Sequence, residues 1–148
     1  MKWNELPDEA CPVARAMSVI GDRWTLLVLR DCLLGIRKFD QLQADLGITR
    51  HVLAERLKKL ESAGLLERRP YQERPTRFEY RPTQAARDFV PVMQVLIGWA
   101  EAHIPSDKTP PYRMVSRATR APIAPRVVDA ITGEEITYQS VWAERSED

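Results

Sequence analysis

The sequence predicts a mainly α-helical fold with a small antiparallel β wing, and three observations carry that prediction. Between residues 39 and 63, two short segments with apolar faces flank the tight connection Gly47-Ile48-Thr49, which is helix-turn-helix spacing. Directly afterwards, the runs 65–69 and 77–80 can pair as strands around Pro75-Thr76. Helical patterns on both sides, at 11–34 and 84–102, add helices with broad apolar faces. This is the order of a winged helix-turn-helix, an arrangement that seats its second helix in a DNA major groove.

Taken in order, residues 1–10 read as a loose arm. Cys11-Pro12 opens a helix to about Ile20, with Pro12 at the first position, where its missing N–H costs nothing. Gly21 breaks this helix and Asp22 caps the next, which carries Trp24, Leu27, Val28, Leu33 and Leu34 and runs to Gly35. Phe39, Leu42 and Leu46 form one helical face, and Gly47 suits the left-handed stop. Thr49 is the expected N-cap of a second helix, whose buried side is Leu53, Leu57 and Leu60 and whose end is Gly64. After the wing, Thr83 caps a helix over 84–102, with Phe89, Val90, Met93, Leu96, Ile97 and Ala100 on its apolar face. Pro91 is expected to kink or break it. Five prolines mark 105–125 as an extended linker, and 127–130 with 135–142 read as a hairpin that docks through Tyr138 and Trp142. No internal repeat is evident. The expected organisation is therefore 1–104, a DNA-binding and dimerisation domain, followed by 105–148, a linker and hairpin extension.

Composition narrows the function. The 148 residues are 44% hydrophobic, enough for an ordinary core, and the net charge is only +1. Residues 50–81 hold nine basic against five acidic side chains, so the positive charge gathers at the motif, as phosphate-dominated binding favours. The segment 106–148 has six basic against seven acidic and is not expected to touch DNA. No apolar run approaches the roughly 20 residues needed to cross a bilayer, and the acidic N-terminus lacks a signal-peptide core. Two cysteines make no disulfide framework. A cytoplasmic protein without membrane contact is expected. No His/Cys cluster has metal-ligand spacing, and no nucleophile constellation or phosphate loop is present, so neither enzyme, metal nor cofactor is expected.

The candidate DNA contacts follow from helical geometry. With Leu53, Leu57 and Leu60 inward, the second helix of the motif turns His51, Glu55, Lys58 and Ser62 outward. Lys58 suits guanine O6/N7, Glu55 suits cytosine N4, and His51 can donate to an acceptor edge. Thr49 and Arg50 lie at the helix start, Arg50 to the side, within reach of a phosphate or a base. The competing reading is a solvated face with Glu55 and Lys59 paired. Arg74 and Arg77 flank the wing turn and suit phosphate or minor-groove contact, while Arg37 and Lys38 are placed to clamp the backbone. Cys11 at a helix N-terminus feels the positive end of the dipole, which favours its thiolate; an inert capping residue is the alternative. Cys32 reads as core, and Trp24 and Trp99 as core or interface aromatics.

Cys11-Pro12, Gly21-Asp22-Arg23-Trp24-Thr25-Leu26-Leu27, Lys38-Phe39, Gly47-Ile48-Thr49, Leu60-Glu61, Gly64-Leu65, Glu79-Tyr80, Thr83 and Trp99 occur in an order that resembles the HxlR family of bacterial transcription regulators. The resemblance spans roughly residues 8–104. Departures such as Lys38 before Phe39 and Ala86 where glycine is usual lie outside the recognition helix. It implies a homodimer that joins through its N-terminal and long C-terminal helices and binds a palindromic operator in double-stranded DNA; repression by occlusion of the promoter is the expected outcome. Some family members sense electrophiles or oxidants through an N-terminal cysteine, which implies such a role for Cys11. A small-molecule effector is left open, and a winged helix serving as a protein-interaction module is the reading from a different class.

Overall fold

The computed structural model describes residues 2–146. Trp3–Asp8 forms a 3-10 helix, which corrects the expectation of a loose arm (Met1 lies outside the described residues). Local contacts order it: the Glu5 carboxylate accepts the Lys2 backbone N–H at 2.8 Å, and Leu6 is buried. Helix α1, Pro12–Ile20, starts on its proline with Cys11 at the N-cap and has no buried residue. Helix α2, Thr25–Leu34, begins where the Asp22 carboxylate accepts the N–H groups of Trp24 and Thr25, both at 3.0 Å.

Helix α3, Phe39–Leu46, stops at Gly47, whose φ of 63° is left-handed. Helix α4, Arg50–Ser62, starts on the Thr49 hydroxyl, which accepts the Val52 N–H at 3.2 Å. The wing is β1, Leu66–Glu73, antiparallel to β2, Thr76–Pro82. Its register runs from Leu66 opposite Pro82 to Glu73 opposite Thr76, with an irregularity between Pro70 and Gln72. Lys38 bridges Glu79, adding one rung of a third strand to the sheet. The core joins Val28, Leu29 and Cys32 of α2 to Leu42 of α3 and to Leu53, Leu57 and Leu60 of α4, closed by Leu66 and Ala86. Trp24 packs on it, as expected of a core aromatic. These contacts produce a winged helix-turn-helix.

Beyond the wing, the Thr83 hydroxyl caps α5, Gln84–Asp88, and a break at Phe89 separates it from α6, Val90–His103. The break falls beside Pro91, which has no N–H to continue the ladder. By compactness the chain forms two units, Met1–Val90 and Pro91–Asp148, so α6 groups with the tail, whereas the expected organisation counted it with residues 1–104.

The tail departs from a linker plus hairpin. Two turns of one design occupy it. In the first, the Ser116 N–H donates to the Ala121 carbonyl at 2.9 Å and the Arg120 N–H to the Ser116 carbonyl at 2.9 Å. In the second, the Asp129 N–H donates to Glu134 at 2.8 Å and the Gly133 N–H to Asp129 at 2.7 Å. Ser116 Oγ and Asp129 Oδ1 each accept the N–H two residues on, while Thr119 and Thr132 hydroxyls each accept the N–H two further. Arg120 and Gly133 both have positive φ, 60° and 75°. Residues 114–123 and 127–136 are thus an internal repeat, which the sequence reading missed. Only Val, Thr and Ile recur at matching places, and different side chains do the same work elsewhere. The expected strands shrink to the single bridge Val128–Glu135, because the chain turns again where Ser140 Oγ donates to the Glu135 carbonyl. Tyr138 and Trp142 are 93% and 89% exposed, so the predicted docking through them does not occur within the protomer. Ile123, Val127 and Val128 of the tail instead line, with Val95, Leu96 and Trp99 of α6, an apolar groove of about 850 Å³.

Candidate nucleic-acid interface

Helix α4 buries Leu53, Leu57 and Leu60 and leaves His51, Glu55, Lys58 and Ser62 exposed, as the 100° spacing requires. Glu55 lies 3.6 Å from His51 one turn back, while Lys59 turns to the other side of the helix.

There it meets Asp22, a residue read from the sequence only as a cap. Lys59 Nζ donates to Asp22 Oδ2 at 2.9 Å, Arg56 Nε lies 3.1 Å from Oδ1, and the Thr25 hydroxyl also donates to this carboxylate. Burial by itself would raise the Asp22 pKa. The hydrogen bonds from Thr25, Lys59 and the Thr25 and Trp24 N–H groups outweigh it and hold the carboxyl well below the usual carboxylate range. Asp22 therefore pins α4 to the start of α2 and pairs with two of its cations.

Most other cations of the motif are also matched. Arg68 pairs with Glu61 at 3.8 Å, Arg69 with Glu67 at 2.7 Å and Arg81 with Glu79. Arg50 pairs with Asp40 at 3.0 Å. Among the described residues Lys58, Arg74 and Arg77 make no ion pair, and all three are exposed. The structure thus spends the local positive surplus in two places: mid-way along α4 and at the wing turn.

The remaining candidates are less uniform. Thr49 is exposed but uses its hydroxyl as the α4 cap. Lys38 is exposed at the N-cap of α3, with its ammonium 4.4 Å from the centre of the Tyr71 ring. Arg37 is half-buried. Its carbonyl accepts the Tyr80 N–H at 2.8 Å, and among the described residues its buried Nε has no hydrogen-bond partner. A cleft of about 550 Å³ between α3 and the wing is bordered by Lys38, Arg50, Tyr71 and Arg77.

The two thiols differ. Cys11 is exposed and Cys32 fully buried. Burial, then the charge of Asp31, pushes the Cys32 thiol up to about 12 against the pull of Arg37, so it stays protonated and inert. Among the described residues no group of His, Cys, Asp and Glu could hold a metal ion, and no helix is long and apolar enough to cross a membrane.

Comparison with known proteins matches residues 19–108 to the HxlR-like helix-turn-helix family. The chain is 40% identical over 132 residues to Mb3122 of Mycobacterium bovis, an uncharacterized HTH-type transcriptional regulator, covering 89% of this chain and 84% of that one. Among solved structures it is similar to PA1607, a candidate transcription factor, with TM-score 0.82 and 29% identity over 95% of this chain and 98% of that one. It is also similar to the oxidized form of the redox regulator HypR, with TM-score 0.58 and 27% identity over 65% of this chain and all of that one.

Proposed function

Because the chain belongs to the HxlR-like helix-turn-helix family and is a DNA-binding transcriptional regulator, we propose that it represses transcription as a homodimer seated on a palindromic operator. The observation that carries the docking geometry is the pattern of unmatched charge. Lys58 on α4 and Arg74 and Arg77 on the wing remain available to DNA, whereas Arg56, Lys59, Arg68, Arg69 and Arg81 are held by the protein's own carboxylates. His51, Glu55 and Lys58 read bases, Arg74 and Arg77 grip the backbone or minor groove, and Lys38 and Arg37 steady the duplex beside α3. Repression follows from occlusion of a promoter by the bound dimer.

Lys58→Ala is expected to cost about 1–3 kcal/mol on the preferred sequence and to relax choice at one base position. Arg74→Ala should weaken preferred and random DNA alike and reduce the slope of log K against log salt by about 1 per protomer. Binding titrations in which both variants keep full affinity and slope would refute this geometry.

A second reading is favoured by the exposed Cys11 thiol at the start of α1 and by the likeness to a protein described as a redox regulator. Cys11 senses electrophiles or oxidants. Alkylation of Cys11 should then outpace that of buried Cys32, and Cys11→Ser should abolish any oxidant-induced loss of DNA binding. Retention of that loss in the variant would leave Cys11 a capping residue only.

A further inference from the structure

We propose that Arg50 is a direct reader of guanine, and that Asp40, Gln43 and Phe39 are positioning residues that aim it. The proposal rests on the DNA-docking reading above. Arg50 is the first residue of α4, the end of a recognition helix that enters the groove. Its Nη1 is engaged twice, by Asp40 Oδ1 at 3.0 Å and by Gln43 Oε1 at 3.4 Å. Its guanidinium carbon stacks 4.6 Å from the centre of the Phe39 ring. Three contacts from α3 thus converge on one side chain of α4.

Stability does not explain the arrangement. The Arg50 and Asp40 side chains are 68% and 77% exposed, and ion pairs so open to water contribute little to stability. Among the described residues Nη2 and Nε have no hydrogen-bond partner, so two donors of the planar fork remain. Two parallel donors match O6 and N7 of guanine. A phosphate clamp would put the Asp40 carboxylate beside another anion, whereas a base edge carries no such charge. Holding the fork before DNA arrives also lowers the rotamer entropy lost on binding.

The test uses the full chain and a duplex that it selects from a random-sequence library. Each base pair of that duplex is changed in turn, and wild type, Arg50→Ala, Asp40→Ala and Asp40→Asn are titrated by fluorescence anisotropy at several salt concentrations. Arg50→Ala should lose about tenfold on the selected duplex and erase the preference at one G·C pair. Asp40→Ala should erase much of the preference at the same pair with the wild-type salt slope. Asp40→Asn keeps an oxygen acceptor and should retain part of it. Both side chains are exposed, so these variants are expected to fold. If Asp40→Ala instead tightens binding to selected and scrambled duplexes alike, while Arg50→Ala weakens both with a shallower slope, Arg50 is a phosphate contact. The proposal then fails and DNA docking stands. If wild type enriches no duplex at all, both readings fail together.

Discussion

Asp22 lies 37 residues before Lys59 in the chain, and no pattern in the sequence links the two. Its local role was legible, since an aspartate after glycine and before a helical run reads as a cap. Its reach to Arg56 and Lys59 depends on the packing of α2 against α4 and appears only in three dimensions. The same packing explains why Glu55 takes His51 as its neighbour. The depressed Asp22 pKa gives a signed prediction. A carboxyl whose folded pKa lies below its unfolded value of about 3.9 stabilises the fold above that value and loses the contribution as pH falls through the folded pKa. Asp22→Asn should therefore lower stability near pH 7 by about 1–3 kcal/mol, because Arg56 and Lys59 lose a charged partner. Urea denaturation should show the gap to wild type closing below about pH 4. A constant gap from pH 7 to pH 3 would remove ionisation from the account.

The repeated turns of the tail offer a comparison within one chain. Gly133 takes its left-handed conformation freely, whereas Arg120 holds a similar φ with a side chain in the way. Arg120→Gly is expected to stabilise the first turn by about 1 kcal/mol, and Gly133→Ala to weaken the second by a similar amount. Amide exchange at residues 120 and 133, whose N–H groups close the two turns, reports each separately. Changes of the opposite sign would show that strain at φ does not set their stability. Helices were the most legible elements, because Leu53, Leu57 and Leu60 recur at helical spacing and Gly35, Gly47 and Gly64 mark stops. The wing was legible in place but not in length. The tail was read least well, because its order comes from side chains that cap their own backbone, and such bonds leave no apolar periodicity. Of the DNA-facing candidates, the outward set on α4 follows directly from its inward leucines. The partners of Arg50 do not, since Asp40 and Phe39 belong to another helix.

At the scale of the whole molecule, the apolar surfaces of the two units bear on assembly. Val13 and Met17 are exposed on α1, and Val92, Val95, Leu96 and Trp99 on α6. Association would cover such surface, which supports the proposed two-fold dimer built on 11–20 and 84–103. Sedimentation at micromolar concentration should give twice the 17.0 kDa chain mass, and Leu96→Glu should shift it toward monomer. A wild-type monomer would defeat the proposal, and with it two recognition helices set about 34–36 Å apart, one turn of B-DNA. The sparing distribution of unmatched cations then has a consequence for search across a genome. With Arg74 and Arg77 of each protomer meeting phosphates, the wings of a dimer would neutralise on the order of four phosphates, a log–log salt slope of about −4. A surface with every cation of the motif unmatched would cling far more tightly to arbitrary sequence. Roughly a million or more chromosomal positions compete for each regulator, so the carboxylates that cover Arg56, Lys59, Arg68, Arg69 and Arg81 shorten its stay at wrong addresses and leave more molecules free to find the right one.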